Sequence, residues 1–97
     1  MLGLDIIDNQ ERRRFEVEVR GDWAYLEYKY YRGALVLIHT FVPVAARGQG
    51  ISSALAKFAL EMAVEKNLKV TVYCPFVKSY LKTHSHYERE LDITYRD

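Results

Sequence analysis

Much is missing from this chain, and each absence removes a class of protein. A single cysteine, Cys74, in 97 residues excludes a disulfide within the chain. Taken with the lack of a secretory n/h/c pattern, it points to a reducing, cytoplasmic setting. No apolar run approaches the roughly 20 residues needed to span a bilayer, so no membrane partner is expected. Repeats and low-complexity tracts are lacking too. Neither sign of charge dominates, with fourteen basic against thirteen acidic residues, so a long polyanion such as nucleic acid is not the expected partner. The one basic block, Arg12-Arg13-Arg14, reads as the solvated start of a strand. The length suits a single domain over residues 1–97 with one modest core.

What remains is strongly patterned. Leu4, Ile6 and Ile7 form a short apolar piece before the turn signal Asp8-Asn9-Gln10. From Arg14 to Arg20 the alternation is clean, with Phe15, Val17 and Val19 on one side and charges on the other. Gly21-Asp22 reads as a tight turn, and Trp23 to Tyr31 as the second arm of a hairpin, with Ala24, Leu26, Tyr28 and Tyr30 on one face. After Arg32-Gly33, the run Ala34 to Val42 is almost continuously hydrophobic, which predicts a central strand covered on both faces. Ile51, Ala54, Leu55, Phe58 and Met62 then recur at helical spacing, one stripe of a helix reaching about Lys66, with Asn67 as its left-handed stop. Leu68 to Tyr73 is a short β-branched strand, parallel to the third by the right-handed crossover rule. Pro75 opens a second helix over Phe76 to Thr83, and Leu91 to Tyr95 is either a last strand or a loose tail. The expected class is α+β with a mixed sheet, in the order β-β-β-α-β-α: an antiparallel meander joined to a parallel strand pair.

The stretch His39 to Leu55 organises the rest. A strand feeds a loop containing Pro43, Arg47, Gly48 and Gly50, and the loop becomes a helix. First-turn amides have no partner inside a helix, and the aligned dipoles leave about half a positive charge there. Glycine lets backbone approach a ligand, and Arg47 offers a forked donor to a phosphate oxygen. The forecast is an anion site. Gly48-x-Gly50-x-x-Ser53 lacks the third glycine of a dinucleotide fingerprint, and the lysine of a Walker loop is absent.

Arg47-Gly48-Gln49-Gly50-Ile51-Ser52 resembles the R/Q-x-x-G-x-G/A signature of the GCN5-related N-acetyltransferases, with Ser52 at the position of the final Gly or Ala. Two further segments, His39-Thr40-x-Val42-Pro43 and Cys74-Pro75-Phe76-Val77-x-x-Tyr80-Leu81-x-x-His84, are similar to the minimal NATD1-type and YjdJ-type single-domain acetyltransferase-like proteins. Together the similarities run from about Phe15 to Tyr87. The resemblance implies a truncated acyl-CoA N-acyltransferase fold and acetyl-coenzyme A as cosubstrate, with no metal. It places the pyrophosphate on Arg47, Gly48, Gln49, Gly50, Ile51 and Ser52, and the pantetheine amides on the backbone from Phe41 through Val42 to Val44.

Three residues are catalytic candidates. Cys74 ends the second parallel strand beside a helix N-terminus, which favours a thiolate. His39 on the adjacent strand would be its base, the pair accepting an acetyl group. Each also has a purely structural reading, Cys74 as a small buried hydrophobe and His39 as a core hydrogen-bonder. By resemblance Tyr80 donates a proton to the departing coenzyme A thiolate, and its phenol fits a core edge equally well. The family-like ending His-Pro-Glu-Tyr is altered here to His84-Ser85-His86-Tyr87, and His84 with His86 has no third metal ligand nearby.

The expected activity is acetyl transfer from acetyl-coenzyme A to an unknown amine, directly or through Cys74. A coenzyme A-binding module with little or no turnover is the alternative. A third reading is an interaction domain presenting the aromatic strand Trp23 to Tyr31, as a monomer or weak homodimer.

Overall fold

A computed structural model describes residues 4–97; residues 1–3, with which the expected 1–97 domain begins, lie outside the described residues. The strands are β1 (Ile7–Asn9), β2 (Arg14–Val19), β3 (Asp22–Tyr31), β4 (Ala34–Phe41), β5 (Lys69–Val72) and β6 (Ile93–Tyr95). A 3-10 turn (Val44–Ala46) leads to α1 (Ile51–Lys66), and α2 (Pro75–Thr83) and the single turn α3 (Tyr87–Glu90) lie between β5 and β6. The strands form one six-stranded sheet in sequence order, β1 to β4 antiparallel and β4, β5 and β6 parallel. The mixed sheet is thus the expected one, with β1 added at one edge and, of the two readings of Leu91 to Tyr95, the last strand formed at the other.

Backbone signals explain the connections. Arg20 and Gly21 both take positive φ (53° and 86°), as do Arg32 and Gly33 (51° and 80°). Two successive left-handed residues form the tight turn whose twist matches its flanking strands. The first turn is therefore Arg20-Gly21, one residue before the position expected. Asn67 stops α1 at φ 56°, ψ 46°, its amide bonded to Ala63 O and Val64 O. Pro75 opens α2 as expected, with Cys74 at the N-cap.

Both crossovers, from β4 through α1 to β5 and from β5 through α2 to β6, step the same way across the sheet. Right-handedness then puts both helices on one face. Phe15, Leu26, Leu35, Leu37 and Val72 on that face share one core cluster with Ile51, Leu55, Leu60, Val77 and Leu81 of the helices. The apolar stripe of α1 is rotated from the expected one. Ala56, Ala59, Leu60 and Ala63 are buried with Ile51 and Leu55, while Ala54, Phe58 and Met62 flank the contact. Small side chains bring the helix axis close to the sheet, but they carry little hydrophobic weight in a sequence. Tyr30 lies half exposed beyond the helices rather than in the core.

The opposite face of the sheet carries no helix among the described residues. Trp23, Tyr31, Phe41 and Tyr73 remain 40–58% exposed there. β4 is central as expected, but it is not covered on both sides: the continuous apolar run serves one packed face and one open one. No helix among the described residues is long and apolar enough to cross a membrane.

Candidate functional site

Beyond Phe41 the chain turns through Pro43 into the 3-10 turn, where Ala46 N and Arg47 N bond to Pro43 O and Val44 O. Gly48 (φ 80°) and Gly50 (φ 77°) then take left-handed conformations. Gly50 is the N-cap of α1, and no side chain caps the helix there. A serine, threonine or aspartate cap would occupy first-turn amides; here nothing does. The first helical bond is Ala54 N to Gly50 O at 3.0 Å, and among the described residues no protein acceptor receives the amides of residues 48–53. No carboxylate stands in the first turn to compete for an anion. Buried Ala46 and Ile51 anchor the two ends of the loop. Between them opens a cleft of about 220 Å³, bounded by Val42 just after β4 and Phe76 on α2. Arg47 is exposed and donates its Nε to Val42 O at 3.2 Å, which sets the guanidinium beside the cleft, its terminal nitrogens without a partner among the described residues. Gln49 and Ser52 are half-buried around the loop, whereas Val44 projects to solvent at 76% exposure. This array presents hydrogen-bond donors and the positive end of a 16-residue helix to a single small cleft.

The second feature is a gap in the sheet. Parallel rungs join β4 and β5 from Ala34↔Lys69 to Leu37↔Val72. Leu37 O then receives both Tyr73 N (2.9 Å) and Cys74 N (3.1 Å), after which Pro75 turns the chain into α2. β4 runs on to Phe41 with no β5 partner along that stretch. Its free backbone edge lies next to the loop.

Opposite the free edge of β4 stands Cys74, 1% exposed, with Sγ 3.1 Å from Thr40 Oγ1. The expected Cys74–His39 pair does not form, and the cause is one extra residue. The β3–β4 register passes from Glu27↔His39 to Tyr28↔Leu37 and leaves Ile38 unpaired. Such a bulge reverses the side-chain alternation beyond it. His39 is turned to the open face, edge-on to Tyr25 at 6.5 Å, and Thr40 takes the place beside the thiol. Thr40 is therefore the site residue that sequence reasoning missed. No glycine or proline marks the bulge, so nothing in the pattern could have found it.

Tyr80 lies on α2 at 7% exposure, its ring stacked on His84 at 3.9 Å and 8° and facing Phe76 at 6.5 Å. Burial, and secondarily the Glu61 carboxylate, raise its phenol above the usual range, so it holds its proton. His84 closes α2 by placing Nδ1 2.9 Å from Tyr80 O. Tyr87 is buried and donates its hydroxyl to Glu61. The two positions of the ending that are not altered, His84 and Tyr87, thus close α2 and tie α3 down onto α1.

The sequence pattern of the GCN5-related N-acetyl-transferases matches residues 14–91, spanning every element described above except β1 and β6. Protein NATD1 of Mus musculus is 43% identical over 77 residues, covering 76% of this chain and 70% of that one. Protein NATD1 of Gallus gallus is 40% identical over 82 residues (81% and 74%), and that of Homo sapiens 43% identical over 77 residues (76% and 68%). With its mixed sheet as a truncated version of the family fold, the chain belongs to the GCN5-related N-acetyltransferases.

Proposed function

We propose that the chain binds acetyl-coenzyme A and transfers its acetyl group to an amine. The observation that carries this is the run of unpartnered amides over residues 48–53 at the start of α1. In this reading a pyrophosphate accepts from those amides and from the terminal nitrogens of Arg47, with Gln49 and Ser52 alongside. The pantetheine arm lies along the end of β4 that β5 leaves unpaired and along the segment Phe41 to Val44 that leads out of it, with Val42 and Phe76 against it; the Val42, Pro43 and Val44 carbonyls already accept from Arg47 and Ala46, so the arm pairs with the groups these leave over. The thioester then reaches the point where β4 and β5 part, beside the Thr40–Cys74 contact.

Direct attack of the amine fits this gap better than a covalent detour. Cys74 is buried and its neighbour is a hydroxyl, which is no base for a thiol at neutral pH. Tyr80, with its proton retained, is the group on α2 that could protonate the departing thiolate. The same two facts about Cys74 favour a second reading, coenzyme binding with little turnover.

Calorimetric titration with coenzyme A tests the binding step. Mass spectrometry after incubation with acetyl-coenzyme A tests the route. Saturable binding without a +42 Da adduct on Cys74 is the expected outcome; a stoichiometric adduct would establish the covalent route instead, and no binding would overturn the function.

A further inference from the structure

The open face of the sheet holds a groove of about 480 Å³ lined by Lys29, Tyr31, Val36, Thr71, Tyr73 and Arg96. Its charge is of one sign. Among the described residues the one ion pair joins Lys78 to Asp97 at 3.5 Å, so neither Lys29 nor Arg96 has a carboxylate partner. Lys78 Nζ also donates to Arg96 O, which fixes the backbone beside the groove. Lys29 Nζ and the Arg32 guanidinium flank the Tyr31 ring at 5.9 and 5.3 Å and add to the positive rim. The acids of this face nearby in register, Glu27 on β3 and Asp92 just before β6, do not line the groove, and Glu27 lies between Arg14 and His39 on the neighbouring strands. Unpaired cations beside aromatic rings and a threonine hydroxyl suit a small organic anion.

The position of the groove gives it a role. Tyr73 precedes Cys74, and both amides share Leu37 O at the last rung before β4 and β5 part. Tyr73 therefore stands at the open-face lip of the gap whose helix-side lip is Cys74. α1 and α2 cover the other face, which leaves this side for the second substrate. Tyr73 stands two positions along the chain from Thr71, roughly 7 Å of extended backbone, about the reach of a short amino acid with its contacts.

Resting on the coenzyme reading above, we propose that this groove is the acceptor site and that it selects an amine accompanied by a carboxylate. The carboxylate sits between Lys29 and Arg96. Its unprotonated amine attacks the thioester carbonyl where β4 and β5 part, the C–N bond forms as the C–S bond breaks, the departing thiolate takes the Tyr80 proton to leave as coenzyme A thiol, and the one proton lost by the new amide nitrogen returns through solvent to the Tyr80 phenolate.

Two measurements on the full chain test this. The first is the titration of ¹⁵N-labelled protein with succinate, using sodium chloride at matched ionic strength as control, in the absence of coenzyme. Selective shifts of the amides of Lys29, Tyr31, Thr71 and Tyr73 are expected, and their loss in the exposed-site variant Lys29→Glu. No shift beyond the chloride control overturns the site, whatever the coenzyme does. The second is the ratio of kcat/KM for γ-aminobutyrate to that for butylamine. One charge-assisted contact corresponds to roughly tenfold or more in that ratio, so Lys29→Glu should lower it about tenfold and Lys29→Arg restore it. An equal fall for both amines overturns the selection. Succinate shifts without coenzyme binding would leave the anion site standing and remove the function proposed above.

Discussion

At the scale of single residues, the site depends on backbone conformations few side chains tolerate. Gly50 sits at φ 77° at the head of α1. A β-branched residue there costs on the order of 1–3 kcal/mol of strain, relieved by shifting the loop. Gly50→Val should weaken coenzyme A binding by at least tenfold in calorimetry while the far-ultraviolet circular dichroism stays that of the parent. Unchanged affinity would show that the loop does not hold the ligand. Thr40 and Cys74 give the complementary test, away from the loop. Thr40→Val keeps the shape and removes the hydroxyl 3.1 Å from Sγ, which should cost about 1 kcal/mol in urea unfolding. If it abolished coenzyme binding instead, the hydroxyl would be a ligand group. His39 and Thr40 also mark the limit of what a pattern can reveal. Which of two neighbours faces a thiol on the next strand depends on a bulge at Ile38, and a bulge without glycine or proline is invisible in sequence.

Among the elements, legibility followed the strength of the local signal. The alternation from Arg14 to Val19, the glycines that close both hairpin turns, and Asn67 and Pro75 at helix ends are local, and the strands and helices stand where those residues put them. The same holds for the loop, whose glycines do take left-handed φ. β1 and β6 are three residues each and owe their form to a neighbouring strand, which short segments do not advertise. The packed face of α1 was obscured by its alanines. Close approach at Ala59, fully buried, leaves no room for a larger residue. Ala59→Leu should destabilise the fold by about 1–3 kcal/mol, read from the urea midpoint; a neutral result would mean that α1 stands further from the sheet.

α3 docks through an electrostatic contact with its own pH signature. Burial, then the hydrogen bond to Glu61, pushes the Tyr87 phenol well above its ordinary value, and burial with Asp8 does the same at Tyr28. Tyr95, beside Glu88, is pushed up to about 12. Unfolded phenols ionise near pH 10, so above that pH the unfolded chain sheds protons the folded one keeps. Stability is intact below pH 10 and falls as pH rises through the folded values, the buried phenols Tyr28 and Tyr87 each adding up to about 1.4 kcal/mol per pH unit and the solvent-screened Tyr95 less. Tyr87→Phe should flatten the loss measured in urea melts between pH 9.5 and 11.5. An unchanged slope would mean that Tyr87 ionises as readily folded as unfolded.

For the whole molecule, topology decides what can reach what. Two crossovers of the same hand place both helices on one face, so a ligand anchored at the start of α1 and a second substrate on the bare face can meet only where β4 and β5 part. A minimal acetyltransferase fold needs no separate acceptor domain if the uncovered side of its sheet does that work. Everything in this scheme begins with the free amides between Gly48 and Ser53, and amide chemical shifts report on them one by one. Adding coenzyme A to ¹⁵N-labelled protein should move the signals of residues 48–53 furthest, saturably, with smaller shifts along Phe41 and Val42. Saturable binding that leaves those amides unmoved, or no binding at all, would contradict the account.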